Sequence, residues 1–395
     1  MAATSAAPAS NASAAGTSSA QAQQQVASAP FRAGTFRTLN VDGYAPSQVL
    51  GTTAVQLTPY TPSPNSYLRG LWIQAVCTGV NSTNTVAYNG DAPFNVYSSV
   101  VFQDANQKPI VGPFDGYTLM AVNKFGGYKN LADPRANAVY SASTGTGTSA
   151  GTFTFVLYVP VEAVNRSALG ALQNKSSSST FQLQLTVNTT ANVYAHAPST
   201  SATLVTTVLE DGWVQPKSAS LQGQPYSQSP PQLGTTQYWT RGYYQALNGN
   251  IQTQLTQGLG YPIRNFMAIN YDVTNTTRAS GDTYWPAQTQ FLFKGTSFWN
   301  VTQTMWKAQM SMDYDYYATT ADTANGLENG VYVLPFDKDF TDAPGSELGY
   351  GYLPTEQGDQ FQILGDFTGN CNMYWVANYM APAQGPSAIA SIQGL

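Results

Sequence analysis

The sequence predicts an all-β protein built as two β-sandwich blocks in tandem. Three observations carry this reading. Charged residues make up only 9% of the 395 while aromatics reach 12%. The chain can therefore bury a core, but it lacks the Lys, Glu and Arg that cover exposed helix faces. Short runs of Val, Thr, Tyr and Phe recur between clusters of Gly, Asn and Pro, the pattern of strands and turns. Several motifs also return in the same order in the two halves of the chain.

Polar passages divide the chain. Residues 1–59 read as a flexible arm and lead-in, because residues 1–30 are Ala, Ser, Gln and Thr with little to bury. Residues 215–237, rich in Pro, Ser and Gln, read as a linker. Residues 382–395 read as a flexible tail in which Ile389, Ile392 and Leu395 could dock. The blocks between them, 60–214 and 238–381, each suit a β-sandwich of about eight strands with long loops.

In the first block, strands are predicted near 67–78, 94–103, 153–159, 181–188 and 202–210. In the second, they are predicted near 262–273, 288–294, 299–312, 331–334 and 360–367. Asn89-Gly90, Asp211-Gly212, Asn325-Gly326 and Asn329-Gly330 are turn signals between them. Leu71, Ile73, Ala75 and Cys77 share one strand face, so Cys77 is expected to be a buried reduced thiol. Cys371 is the only other cysteine, too few for a disulfide framework, and a bridge between the two stays open.

Two short helices are predicted. Asp115 caps one that runs through Tyr117, Met120, Ala121 and Lys124 and stops at Gly126-Gly127. The other follows the strand FTFVLYV. Pro160 suits a first helical position, and Glu162 complements the helix dipole. Val161, Val164, Ala168, Leu169 and Leu172 have the spacing of a buried stripe.

The internal repetition has three parts. VPVE at 159–162 matches LPFD at 334–337 as apolar, proline, apolar, acid. FQL at 181–183 matches FQI at 361–363, and LRGLWIQA from Leu68 matches IRNFMAIN from Ile263. Three matches in one order predict two copies of one unit. In the second copy Pro344 and Gly345 interrupt the helix.

The residues offer little chemistry. Net charge is −5 and the 16 basic residues form no stripe, which argues against a nucleic-acid surface. Residues 1–31 carry no basic start or apolar core of a secretory signal, and no apolar run has membrane-spanning length. His196, the single histidine, lacks partners for catalysis or zinc. Gly147–Gly151 spells G-x-S-x-G, but a strand follows where a nucleophile elbow needs a helix. Asp337, Asp339 and Asp342 lack an EF-hand pattern and read as loop acids. Asp313 and Asp315 alternate with aromatics as on a strand with one wet face, and no spacing singles out a glycosidase pair. Trp285, Trp299, Trp306 and the Tyr314/Tyr316/Tyr317 cluster read as core or subunit contact rather than a sugar-binding face. The triplets at Asn81, Asn188 and Asn300 are expected of an Asn-, Ser- and Thr-rich chain. No catalytic, cofactor-binding or metal-binding residue is therefore predicted.

Three segments carry a resemblance: APFNVYSSVVFQDANQKPIVGPFDGYTLMAVNKFGG (92–127), VLYVPVEAVNRSALGALQN (156–174) and GVYVLPFDKDF (330–340). They resemble double jelly-roll major capsid proteins of the tectivirus and adenovirus type. The strand–VP–acid–helix–strand unit resembles the connection between strands F and G of the first roll. Asn95-Val96, Asp104, Asn106 and Gly116 resemble an earlier strand pair and its following helix. The resemblance covers about 60–215 well and 262–381 more loosely. It implies two eight-stranded jelly rolls and a homotrimer whose six rolls form a pseudo-hexagonal capsomer. It also implies neighbouring capsomers, an internal viral membrane, and minor capsid and vertex proteins as partners, with the chain in the virion shell and made in the host cytoplasm. Low charge fits such a tile, which meets its neighbours over large surfaces without like-charge repulsion. The competing readings are a two-domain carbohydrate-binding or glycan-hydrolysing β-sandwich protein and a trimeric phage spike.

Overall fold

Leu71, Ile73, Ala75 and Cys77 are all buried, as their alternation predicts, on one face of the strand Ser66–Thr78. Phe153, Phe155, Leu157 and Val159 repeat the pattern directly opposite them on the neighbouring strand, so the two strands share one apolar face. The computed structural model describes residues 29–64, 66–78, 81–126, 134–163, 168–176, 180–217, 220–221, 223–231, 235–272, 278, 281–314, 329–336 and 352–382.

The first half supplies the principal strands β1 (Arg37–Val41), β2 (Val55–Gln56), β3 (Ser66–Thr78), β4 (Tyr97–Gln103), β5 (Pro109–Phe114), β6 (Phe153–Pro160), β7 (Gln182–Val187) and β8 (Thr203–Val214). One sheet has the order β1-β8-β3-β6 and the facing sheet β2-β7-β4-β5. All these pairs are antiparallel, and this is jelly-roll order. Residues 29–59, read as arm and lead-in, supply β1 and β2. Strand β2 is too short to show alternation, and β1 is exposed at all but one position.

The second half supplies β9 (Thr235–Gln254), β10 (Pro262–Tyr271), β11 (Gln288–Phe293), β12 (Thr296–Thr302), β13 (Val331–Pro335) and β14 (Phe361–Pro382). Here β9 and β14 are long enough to pass through both sheets. The orders are β9-β14-β10-β13 and β9-β14-β11-β12, strand for strand those of the first half. The repeat holds in register. Pro160 lies opposite Gly70, the residue after Arg69, and Pro335 lies opposite Asn265, the residue after Arg264. Likewise Leu183 faces Phe102 and Ile363 faces Phe291. The fold is a double jelly roll.

A helix follows the same hairpin in each roll: α1 (Gly116–Phe125) after β5 and α2 (Gln303–Tyr314) after β12. Asp115 caps α1 by accepting the Thr118 N–H at 2.7 Å, and Gly126 ends it, as expected. The strand expected over 299–312 stops at Thr302. Trp306 and Met310 lie on the buried face of α2 with Tyr314 one turn further, while Ala308 and Met312, which a strand would place on that same face, are exposed. Asp313 is accordingly helical rather than on a strand, and Asp315 lies outside the described residues.

Three further expectations are corrected. Asp211-Gly212 is not a turn but a register irregularity inside β8. The proline–acid unit follows the sixth strand of its roll and precedes the seventh, one connection later than F–G, which α1 occupies. Pro160 ends β6 but opens no helix in the described residues. Ala168 and Gly170 have φ of 67° and 81°, outside any right-handed helix, and Glu162 turns inward to a guanidinium. Val164, Asn325-Gly326, Pro344 and Gly345 lie outside the described residues.

The core runs without a break through both rolls. Phe94 packs on Phe155 at 5.0 Å in the first roll, and Phe266 on Phe361 at 4.6 Å and Trp375 at 4.8 Å in the second. Cys77 and Cys371 are free and buried, and burial pushes both thiols up to about 11. A thiol reagent at neutral pH is therefore expected to leave the native protein unlabelled and to label both cysteines after denaturation, as read by mass spectrometry.

Candidate functional site

Among the described residues, those considered for chemistry do not converge. His196 is exposed at the end of a short strand, Tyr194–His196. Gly147 ends another short strand, and the rest of GTSAG is a turn leading into β6, with no helix after it. Trp285 and Trp306 are buried, and Trp285 stacks on Tyr332 at 4.1 Å. Trp299 packs edge-on against Trp306 at 5.7 Å. Asp337, Asp339, Asp342, Tyr316 and Tyr317 lie outside the described residues. Among the described residues, no group of three or more His, Cys, Asp or Glu could hold a metal, and no helix is long and apolar enough to cross a membrane.

What the fold does concentrate is buried charge at the proline–acid joint. Arg69 on β3 donates to Glu162 through Nε and to Asp211 through Nη1 at 2.9 Å. Arg37 on β1 closes on the other side of Asp211 with Nε and Nη2, both at 2.8 Å. The Ala168 N–H donates to Glu162, and Trp213 covers the Arg69 guanidinium at 4.7 Å. A buried carboxylate keeps its charge only when paired in this way. Burial still pushes the Glu162 carboxyl up, against the pull of Arg69. Sequence reasoning assigned Glu162 to a helix dipole because its partner lies far away in the chain. The second roll repeats the joint in part, and Asp337, the counterpart of Glu162, lies outside the described residues. Arg264, the counterpart of Arg69, donates from Nη1 to Asn378 Oδ1 at 3.0 Å, where Asn378 stands in the register position of Asp211.

The same arginine reaches out of its roll, donating to the Gly126 carbonyl at 3.0 Å. Asn265 donates to the Phe125 carbonyl at 3.1 Å, so β10 holds the end of α1. Arg241 on β9 pairs with Asp115 at 2.8 Å, Arg278 pairs with Asp91 at 2.7 Å, and Tyr271 donates to Asp91 at 3.2 Å. Gln237 donates to the Glu162 carbonyl at 2.7 Å and accepts from Asn378 at 3.0 Å. A parallel bridge between Val111 on β5 and Trp239 on β9 joins the sheets. Buried polar groups with fixed partners specify one arrangement, so the two rolls form a single seam.

Glu210 stands apart because its contacts are neutral. It accepts from the Tyr60 hydroxyl at 2.9 Å and from the Ser63 N–H, with Asp42 nearby on Ser63 Oγ at 2.7 Å. Burial pushes its carboxyl above the usual glutamate range, and Asp42 adds to the rise. Glu210 thus favours folding fully below the unfolded glutamate pKa, and that contribution is lost as pH rises through the folded value. Both hydrogen bonds fall on one oxygen, which Gln supplies equally well. Glu210→Gln is expected to raise Tm at about pH 8 and change it little at about pH 4. Calorimetry at both pH values checks this, and an equal shift at each would contradict it.

No family model matches the chain, and no curated protein matches it. Solved structures match it over most of its length. The crystal structure of the STIV MCP aligns with a TM-score of 0.58 at 11% identity, covering 87% of this chain and 97% of that one. A chain of the atomic structure of Sulfolobus Turreted Icosahedral Virus aligns at 0.56 and 13% identity, covering 89% and 96%. The quasi-atomic PBCV-1 virus capsid aligns at 0.56 and 10% identity, covering 89% and 98%. At such identities the likeness is one of fold, the double jelly roll, over nearly the whole of each chain.

Proposed function

We propose that this chain is the major structural protein of an icosahedral virus shell, in which homotrimers form pseudo-hexagonal capsomers. The observation that carries the reading is the double jelly roll, repeated strand for strand and shared over 87–89% of the chain with the STIV MCP, a chain of Sulfolobus Turreted Icosahedral Virus and the PBCV-1 virus capsid. Fold alone does not fix function. The Arg69, Arg241 and Arg278 ion pairs add support, because each holds strands or rolls together. On this reading the protein is an assembly component rather than an enzyme. Its partners are neighbouring capsomers and, for an internal-membrane phage type of particle, the viral membrane and the minor capsid and vertex proteins. It is made in the host cytoplasm and ends in the virion. Negative-stain imaging of the purified protein tests this directly. Hexagonal outlines that tile are the expected result, and isolated particles that bind glycans would overturn it in favour of a carbohydrate-binding protein.

A further inference from the structure

The strand-for-strand repeat allows each surface of one roll to be compared with its counterpart in the other, and two counterparts differ in exposure. In the first roll the outer edge of β5 is covered by β9 of the second roll, and α1 is buried, with Arg241, Asn265 and Arg264 of the second roll held on its two ends. The same edge in the second roll is β12, which ends its sheet, and the helix beside it is α2. There Phe298, Met305 and Met312 are 40%, 64% and 80% exposed. The element that does the covering also has a counterpart. Asp211 pairs with Leu39 and Asn378 with Trp239, so β1 stands where the first half of β9 stands. Trp239 is fully buried against the first roll, whereas Leu39 is 51% exposed and Phe36 and Val41 beside it 61% and 64%. Strand β1 likewise ends its sheet.

A single chain therefore carries two bare apolar edges that are the two halves of a contact it already makes once internally. Unpaired apolar edges of this kind are normally covered or blunted. We propose that β1 of one copy docks in parallel on β12 of the next, under α2, repeating between chains the seam that joins the two rolls within one. The internal register transfers directly. Val111 corresponds to Trp299, because Phe102 and Phe291 face them in their hairpins, so Leu39 of one copy lies opposite Trp299 of the next. Met305 and Met312 then take the covered position that α1 has inside the chain. The contact is head to tail, so each copy uses both edges, and copies close into a ring. This deepens the capsomer reading and rests on it.

Asn40 and Asn300 are the next pair along this register, and both are exposed. Adjacent strands lie ~4.8 Å apart, within disulfide reach. Asn40→Cys and Asn300→Cys chains carrying different tags are co-expressed, oxidised and run on a non-reducing gel. The expected result is a disulfide-linked dimer containing both tags, absent when either variant is made alone, and lost when Leu39→Asp is added to the Asn40→Cys chain. An oligomer that forms without this cross-link overturns the seam but leaves the capsomer reading in place. Cross-linking of Asn40→Cys to itself also overturns the seam, since it reports a two-fold contact. Unmodified protein that stays monomeric overturns both.

Discussion

Arg69→Met is expected to lower the unfolding free energy by about 3–5 kcal/mol, among the largest effects of any single change to a charged residue here. The side chain is buried, and its removal leaves Glu162, among the described residues, with the Ala168 N–H as its remaining hydrogen-bond donor. Asp211 fares better, because Arg37 still reaches it from the surface. The loss has a pH signature. Arg69 is what opposes the rise of the Glu162 carboxyl, so in the variant that carboxyl titrates higher still. The deficit is therefore largest at neutral and alkaline pH and shrinks as acid protonates Glu162. A triple change, Arg69→Met with Glu162→Gln and Asp211→Asn, removes the unpaired charge and is expected to recover much of the loss. Urea denaturation of both variants across pH decides this. A single variant within about 1 kcal/mol of wild type would show that the cluster is not what holds the joint.

Trp239→Ala is expected to cost about 3–5 kcal/mol, through lost burial and the cavity left in the seam. The indole is fully buried, sits at the bridge to Val111 and donates to Gln237 Oε1 at 3.1 Å. Gln237 in turn ties Glu162 of the first roll to Asn378 of the second, so the loss falls on the connection between rolls. Unfolding is expected to broaden or split into two transitions as the rolls lose their coupling. Leu39→Ala at the corresponding position of the first roll should change the stability of the dissociated chain by less than about 0.5 kcal/mol, because Leu39 is exposed there. Two equivalent positions with such unequal effects would show that their difference lies in what covers them. Equal effects would contradict that.

The parts of this fold that were legible in the sequence are those whose signal is local. The alternation in LWIQAVC and FTFVLYV placed β3 and β6, and Asp115 with Gly126 bracketed α1. The repeat was legible as well, because VPVE and LPFD end the same strand in both rolls. What was missed depends on distant partners or on strands too short for a period. Glu162 looks like a first-turn acid until Arg69 is brought to it across the sheet. Asp211-Gly212 has turn chemistry, yet pairing on both sides of β8 keeps it in the sheet. The helix α2 was hidden by the strand-like run before it, although the repeat pointed there, since α1 follows the equivalent hairpin. The seam was not legible, because Arg241, Arg264 and Arg278 look in sequence like scattered surface charges.

The mass of the purified protein in solution, measured by light scattering across a dilution series, tests the central claim most directly. A stable species of three chains is predicted, the number that the pseudo-hexagonal capsomer reading requires. A single chain that persists at high concentration would contradict the account.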